Sequence, residues 1–115
     1  MPYLKLSTNV KIDSEQSPQL LADFSRLLSQ ETGKSERYVM VELAGDQVML
    51  FGGNADPLAY AECKSIGLSK AQAGSLSAGI AALLHQRLAV PMDRVYIEFS
   101  NCPAEFWGWN GSTFG

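Results

Sequence analysis

The feature that most limits how this chain can fold is an internal repeat: the same apolar pattern occurs twice, with the helix faces and the strands after them offset by a constant 56 positions. Pro2 opens an apolar run, Tyr3-Leu4-Lys5-Leu6, that extends to about Val10, and Pro57 opens a second, Leu58 to Ile66. Each run is predicted to be a strand, and a helix is predicted after each. Leu20, Leu21, Phe24, Leu27 and Leu28 share one helical face, as do Leu76, Ile80, Leu83, Leu84 and Leu88. Gly33 is placed to stop the first helix. Ser69 with Gln72 forms a capping-box pattern for the second, and Pro91 lies just past its end. A further strand is predicted over Glu36–Leu43 and again over Asp93–Phe99. Val39, Val41 and Leu43 alternate in one, and Val95, Ile97 and Phe99 in the other.

Each half therefore reads β-α-β, with parallel strands joined by a right-handed crossover. Two such units side by side give an α+β fold: a four-stranded sheet with both helices on one face. The expected organisation is one domain over 1–115, with pseudo-repeats at about 2–56 and 57–115. The 46% apolar content supplies a core without disulfide staples. The opposite face of the sheet is expected to carry a mixed set of residues, including Tyr38, Met40 and Tyr96, too apolar to stay open to water and so in need of cover, most simply by oligomerisation. The uncharged, aromatic tail Phe106–Gly115 is too short for its own core. It either folds back on its own chain or docks on a neighbour; docking is the expectation, because aromatic residues are enriched at interfaces.

Charge and motif content remove several functions. A net charge of −3 without a basic cluster argues against nucleic acid as partner. No stretch approaches the ~20 apolar residues of a membrane helix, so no membrane role is expected. The start lacks a basic region followed by an apolar run, so the expected location is the cytoplasm, with release by a route needing no signal peptide left open. Cys63 and Cys102 form no CxxC pair and are expected to be reduced thiols. Asn110-Gly111-Ser112 fits a glycosylation pattern that has no meaning without secretion. The only histidine, His85, falls opposite the apolar stripe of its helix and has no metal-ligand partner, so it is expected to be a solvated surface residue and not a metal ligand.

Pro2 is the most chemically suggestive position. Loss of Met1, which a small second residue permits, leaves a secondary amine at the head of the first strand. Free α-amino groups titrate at about 7.7–8.0, and burial lowers that value. A buried terminal proline is then neutral near pH 7 and able to act as a general base. With Met1 attached, the same nitrogen is an amide and the base is lost.

The runs Met1-Pro2, Thr8-Asn9-Val10, Thr32-Gly33-Lys34, Asp46–Gly53, Ser65-Ile66-Gly67, Asp93–Ile97 and Gly108–Phe114 occur in an order and spacing that resemble the macrophage migration inhibitory factor family. Each run is weak alone, and together they span essentially the whole chain. The resemblance implies the tautomerase fold, a homotrimer and an active site at each subunit boundary. It implies keto–enol tautomerisation of phenylpyruvate-like aromatic 2-oxo acids and isomerisation of dopachrome, without metal or organic cofactor. Position by position, it implies that Pro2 is the catalytic base, that Lys34 meets the substrate carboxylate and that the backbone N–H of Ile66 helps bind substrate. Tyr96 would come from the neighbouring subunit, and Tyr38, Trp109 and Phe114 would wall the pocket. Taken alone, Lys34 is a cation favourably placed at a helix C-terminus, Ile66 is a core side chain and Tyr96 a packed sheet residue.

Four positions depart from the family pattern. Glu98 stands where the family's pocket often has asparagine, which puts a carboxylate where an amide could also donate. Trp107 replaces a small aliphatic residue and would narrow the mouth. Leu58 and Ala61 occupy the positions of a mammalian CxxC, which removes the basis for thiol–disulfide chemistry. The expected function is a cofactor-independent tautomerase. The alternatives are a cytokine-like signalling protein that meets a protein receptor with the same trimeric fold, and an isomerase for a different unsaturated keto acid.

Overall fold

The computed structural model describes all 115 residues. Four strands form one mixed sheet: β1 (Tyr3–Thr8), β2 (Met40–Ala44), β3 (Ala59–Ile66) and β4 (Val95–Cys102). Their order is β2-β1-β3-β4. β1 runs parallel to β2 and β3 parallel to β4, while the central β1/β3 pair is antiparallel. That is two β-α-β units joined through their first strands.

The helices α1 (Ser17–Thr32) and α2 (Lys70–Leu88) start and stop for identifiable reasons. Pro18 sits in the first turn of α1, where its missing N–H costs nothing. Asp13 Oδ1 accepts from the backbone N–H of Glu15 (3.0 Å) and Gln16 (2.8 Å) and orders the approach. In α2 the capping box is complete: Ser69 Oγ accepts from Gln72 N at 3.1 Å, and Gln72 Oε1 accepts from Ser69 N at 3.0 Å. α1 ends at Gly33 with φ 71°, and α2 ends at Ala89 with φ 54°. Both caps are left-handed, and they fall at equivalent positions of the two halves.

The core lies between the helices and one face of the sheet. Leu4 and Leu6 from β1 and Ala59, Ala61 and Cys63 from β3 alternate inward against Leu20, Phe24 and Leu28 of α1 and Leu76, Ile80 and Leu84 of α2. Val39, Val41, Leu43, Val95, Ile97 and Phe99 pack at its edges. The helices approach closely at Gly79, where an added Cβ would stand 2.8 Å from Leu27 Cδ1.

Three expectations need correction. First, the predicted strands over 36–43 and 93–99 begin later. Glu36–Tyr38 and Met92–Arg94 are single 3₁₀ turns, closed by Tyr38 N–H to Ser35 O and Arg94 N–H to Pro91 O, both 3.0 Å. β1 likewise stops at Thr8, short of Val10. Second, the outer face of the sheet does not include Tyr38, and its mixed character is an ordered charged row. The register sets Glu42, Lys5, Glu62 and Glu98 in one row across all four strands, flanked by Tyr3, Tyr60, Tyr96 and Met40. Tyr38 lies outside this face, in its 3₁₀ turn. Third, the tail folds back on its own chain. β5 (Gly108–Trp109) and β6 (Ser112–Thr113) pair as a hairpin. Its turn is Asn110-Gly111, with φ 52° and 78°, the pattern that matches strand twist in two-residue hairpins.

Arg94 fixes the long connection before β3. Its guanidinium donates to the carbonyls of Phe51, Asn54, Asp56 and Pro57 at 3.0–3.2 Å. No helix is long and apolar enough to cross a membrane.

Candidate active site

Pro2 lies at the head of β1 and is buried. Its carbonyl accepts from Met40 N–H at 3.0 Å, which ties the chain terminus to the start of β2. A cleft of ≈ 410 Å³ opens beside it, lined by Met1, Pro2, Tyr38, Trp107, Trp109 and Phe114 among others. The aromatic wall is assembled from distant parts of the chain. Tyr38 comes from the 3₁₀ turn after α1 and meets Trp109 edge-on at 5.6 Å and Phe114 at 6.3 Å. Trp109 and Phe114 stack at 5.6 Å with 13° between their planes. The hairpin makes this stack possible by returning the chain, and Phe114 N–H closes it onto Trp107 O at 3.1 Å. Edge-on and stacked pairs are the favoured arrangements of rings with a negative face and positive rim.

The electrostatics favour a neutral amine at this end. The terminal α-amine of Met1 is held below its ordinary 8.0, first by burial and second by the positive charge of Lys34. Removal of Met1 would place the new terminus, on Pro2, one residue deeper among the same groups. Lys34 follows the left-handed Gly33, and both its backbone groups are pinned to the last turn of α1. Its N–H donates to Thr32 Oγ1 at 3.3 Å, and its carbonyl accepts from Ser29 Oγ at 2.6 Å. The ammonium forms none of the chain's ion pairs. The hydroxyl of Tyr3, also on the cleft, donates to Glu42 Oε1 at 3.0 Å.

The structure thus gathers Pro2, Tyr38, Trp107, Trp109 and Phe114 around one cleft, with the charge of Lys34 felt at the terminus. Ile66 ends β3, and the β1/β3 register, continued by two residues, sets it opposite Met1. Tyr96 and Glu98 are elsewhere. They lie on β4, at the edge of the sheet remote from β2, with β1 and β3 between. Tyr96 packs on Phe51 at 4.6 Å and borders a second cavity of ≈ 480 Å³ with Met49, Leu50 and Tyr60. Glu98 sits beside Glu62 in register. His85 is exposed on α2, away from the cleft lining.

Arg37, Met40 and Glu42 also line the cleft and were not among the expected site residues. Arg37 stands over the Tyr38 ring, 5.2 Å from its centroid. Its adjacency to Tyr38 was the one available signal. The other two are the outward-facing members of β2, which alternation could have assigned to the same side as Tyr3.

The comparisons with known proteins cover the whole chain. The family model described as macrophage migration inhibitory factor matches residues 1–115. The macrophage migration inhibitory factor of Meriones unguiculatus is 39% identical over 115 residues, spanning 99% of each chain. The homolog from Brugia malayi is 38% identical over 116 residues, spanning 100% of both. Among solved structures, the homologue from Prochlorococcus marinus superposes with a TM-score of 0.93 at 38% identity, covering 98% of this chain and 99% of the other. The protein from Trichinella spiralis gives 0.87 at 33% identity, covering 97% and 99%.

Proposed function

The chain belongs to the macrophage migration inhibitory factor family, and from that premise we propose that it is a cofactor-independent keto–enol tautomerase of phenylpyruvate-like aromatic 2-oxo acids, with dopachrome as a further candidate substrate. The observation that carries this reading is the seating of Pro2 at an aromatic cleft where burial and Lys34 both disfavour a protonated terminus. Membership of the family supports a tautomerase activity in general; the substrate and the residue roles are this proposal's own.

Tautomerisation of such an acid removes a proton from the carbon between ketone and ring and delivers one to the ketone oxygen. After loss of Met1, the neutral amine of Pro2 takes the carbon-bound proton, and the resulting ammonium returns a proton to oxygen. Lys34 fixes the carboxylate and favours the enolate electrostatically. The N–H of Ile66 adds a donor near the same end, and Tyr38, Trp107, Trp109 and Phe114 hold the ring and keep out water. Tyr96 and Glu98 reach a cleft only from another copy, which a homotrimer would supply. The alternative reading is a signalling protein that meets a receptor with its surface, as the name of its relatives suggests.

The test pairs intact-mass measurement with a phenylpyruvate enol–keto assay. Protein lacking Met1 should be active. Pro2→Gly should lose at least about 10²-fold in rate, with its circular dichroism and assembly retained. The pH–rate profile should show an essential base below the ordinary amine range. Full activity in Pro2→Gly, or in protein that keeps Met1, would remove Pro2 from the mechanism.

A further inference from the structure

We infer that Arg37 is a second anion-recognising group of the cleft, so that the pocket favours aromatic 2-oxo acids bearing another anionic substituent on the ring. The inference rests on the tautomerase reading and specifies its substrate class.

The Arg37 side chain is exposed, and its guanidinium carbon lies 5.2 Å from the centroid of the Tyr38 ring. It takes part in none of the chain's ion pairs. The two acids nearest to it in sequence or on the cleft are engaged elsewhere: Glu36 accepts from Ser25 Oγ at 2.9 Å on α1, and Glu42 accepts from the Tyr3 hydroxyl. Within one chain, five N–H donors are therefore held on one aromatic face without a carboxylate partner. A guanidinium stacked in this way gives up less freedom when it takes a carboxylate through two parallel hydrogen bonds.

The position of this cation gives it meaning. Tyr38 meets Trp109 and Phe114 edge-on, and Arg37 stands over its ring. The wall that would hold a substrate ring is thus continuous with a cation. Lys34 supplies a separate positive charge at the Pro2 end. A cation on the cleft lining and a second positive charge acting at the Pro2 end, in a chain of net charge −3, suit a ligand with an anion at each end. Lys34 would take the 2-oxo carboxylate and Arg37 a ring carboxylate.

Binding and turnover are measured separately. Quenching of Trp107 and Trp109 fluorescence reports binding of cinnamate and 4-carboxycinnamate, which cannot tautomerise. Turnover is compared for phenylpyruvate and 4-carboxyphenylpyruvate. The dianion should bind about fivefold tighter and show a similar gain in kcat/KM through KM, as fits a partly exposed charge-assisted contact. The gain should shrink in high salt. Arg37→Gln should abolish it, and Arg37→Lys should keep part. Equal affinities for the two cinnamates overturn the inference. So does an Arg37→Gln variant that weakens both in the same proportion, because Arg37 would then merely support Tyr38. If the binding preference holds but neither oxo acid turns over, the tautomerase reading fails and the anion site stands.

Discussion

Cys63 lies on the core side of β3 with no exposed surface, and burial pushes its thiol up to about 11 from an ordinary 9.0. Folding therefore favours the protonated thiol. As pH rises through 9 the unfolded chain loses this proton while the native chain keeps it, so stability falls until the native thiol also titrates near 11. Two units of difference correspond to roughly 2–3 kcal/mol at the upper limit. Urea unfolding of the wild type and of Cys63→Ala between pH 8 and 11 isolates this term from the lysines and tyrosines that titrate in the same range. The variant should be the less stable protein at pH 8, and the gap should close as pH rises. Parallel pH dependences would mean that the buried thiol contributes nothing. Cys102 serves as an internal contrast, being half-buried at the end of β4 with its thiol donating to Pro103 O at 3.4 Å. Sequence alone treats the two cysteines alike. Their difference arises from strand parity: Cys63 shares the inward face with Ala59 and Ala61, and only a correct register assigns that face.

The helices show how far an element can be read from its residues. Both were legible because each carries a buried stripe at helical spacing and a chemically marked end. Their caps also expose an asymmetry between the halves. Gly33 and Ala89 occupy equivalent left-handed positions, but only glycine adopts that conformation without a Cβ penalty. An added Cβ at Gly33 meets nothing within 4 Å, so Gly33→Ala should cost about 1 kcal/mol from backbone strain alone. Ala89→Gly should stabilise by about 0.5–1 kcal/mol, because Ala89 is exposed and its methyl has little packing to lose. Denaturant midpoints of the two variants should move in opposite directions. A destabilised Ala89→Gly would show that unfolded-state entropy outweighs the strain. The strands were less legible at their starts. Nothing in Glu36-Arg37-Tyr38 breaks the approach to β2 as a glycine would, yet a single 3₁₀ bond turns the chain and points Tyr38 to the tail. The outer face misled for a related reason. Alternation says which residues share a face, whereas the row Glu42, Lys5, Glu62 and Glu98 exists only through pairing between strands.

At the scale of the whole molecule, the expected site divides into two sets that one chain does not bring together. Pro2, Tyr38, Trp109 and Phe114 gather at the β2 side of the sheet, while Tyr96 and Glu98 lie on β4 at the opposite edge. No pattern within the sequence could announce that division, because residue spacing carries no information about a second copy. The resemblance supplied it, and the topology explains it: β2 and β4 are the two free edges. An assembly in which the β4 edge of one copy meets the cleft of the next repeats head to tail and closes when the rotation between copies divides a full turn. A trimer of the 12.5 kDa chain closed in this way would hold three identical sites, each with Pro2 from one subunit and Tyr96 from another. Mixing two impaired variants tests the arrangement directly. Pro2→Gly replaces the proposed secondary-amine base with a primary amine, and Tyr96→Ala removes the residue proposed to cross the boundary. Alone, each should show little phenylpyruvate turnover. Unfolded together in equal amounts and refolded, they should form mixed trimers in which about a quarter of the sites pair an intact Pro2 with an intact Tyr96. Activity should rise to roughly that fraction of wild type, with sedimentation unchanged. If both functional sets came from the same chain, no mixed assembly could restore a complete site, and activity would stay at the average of the two variants.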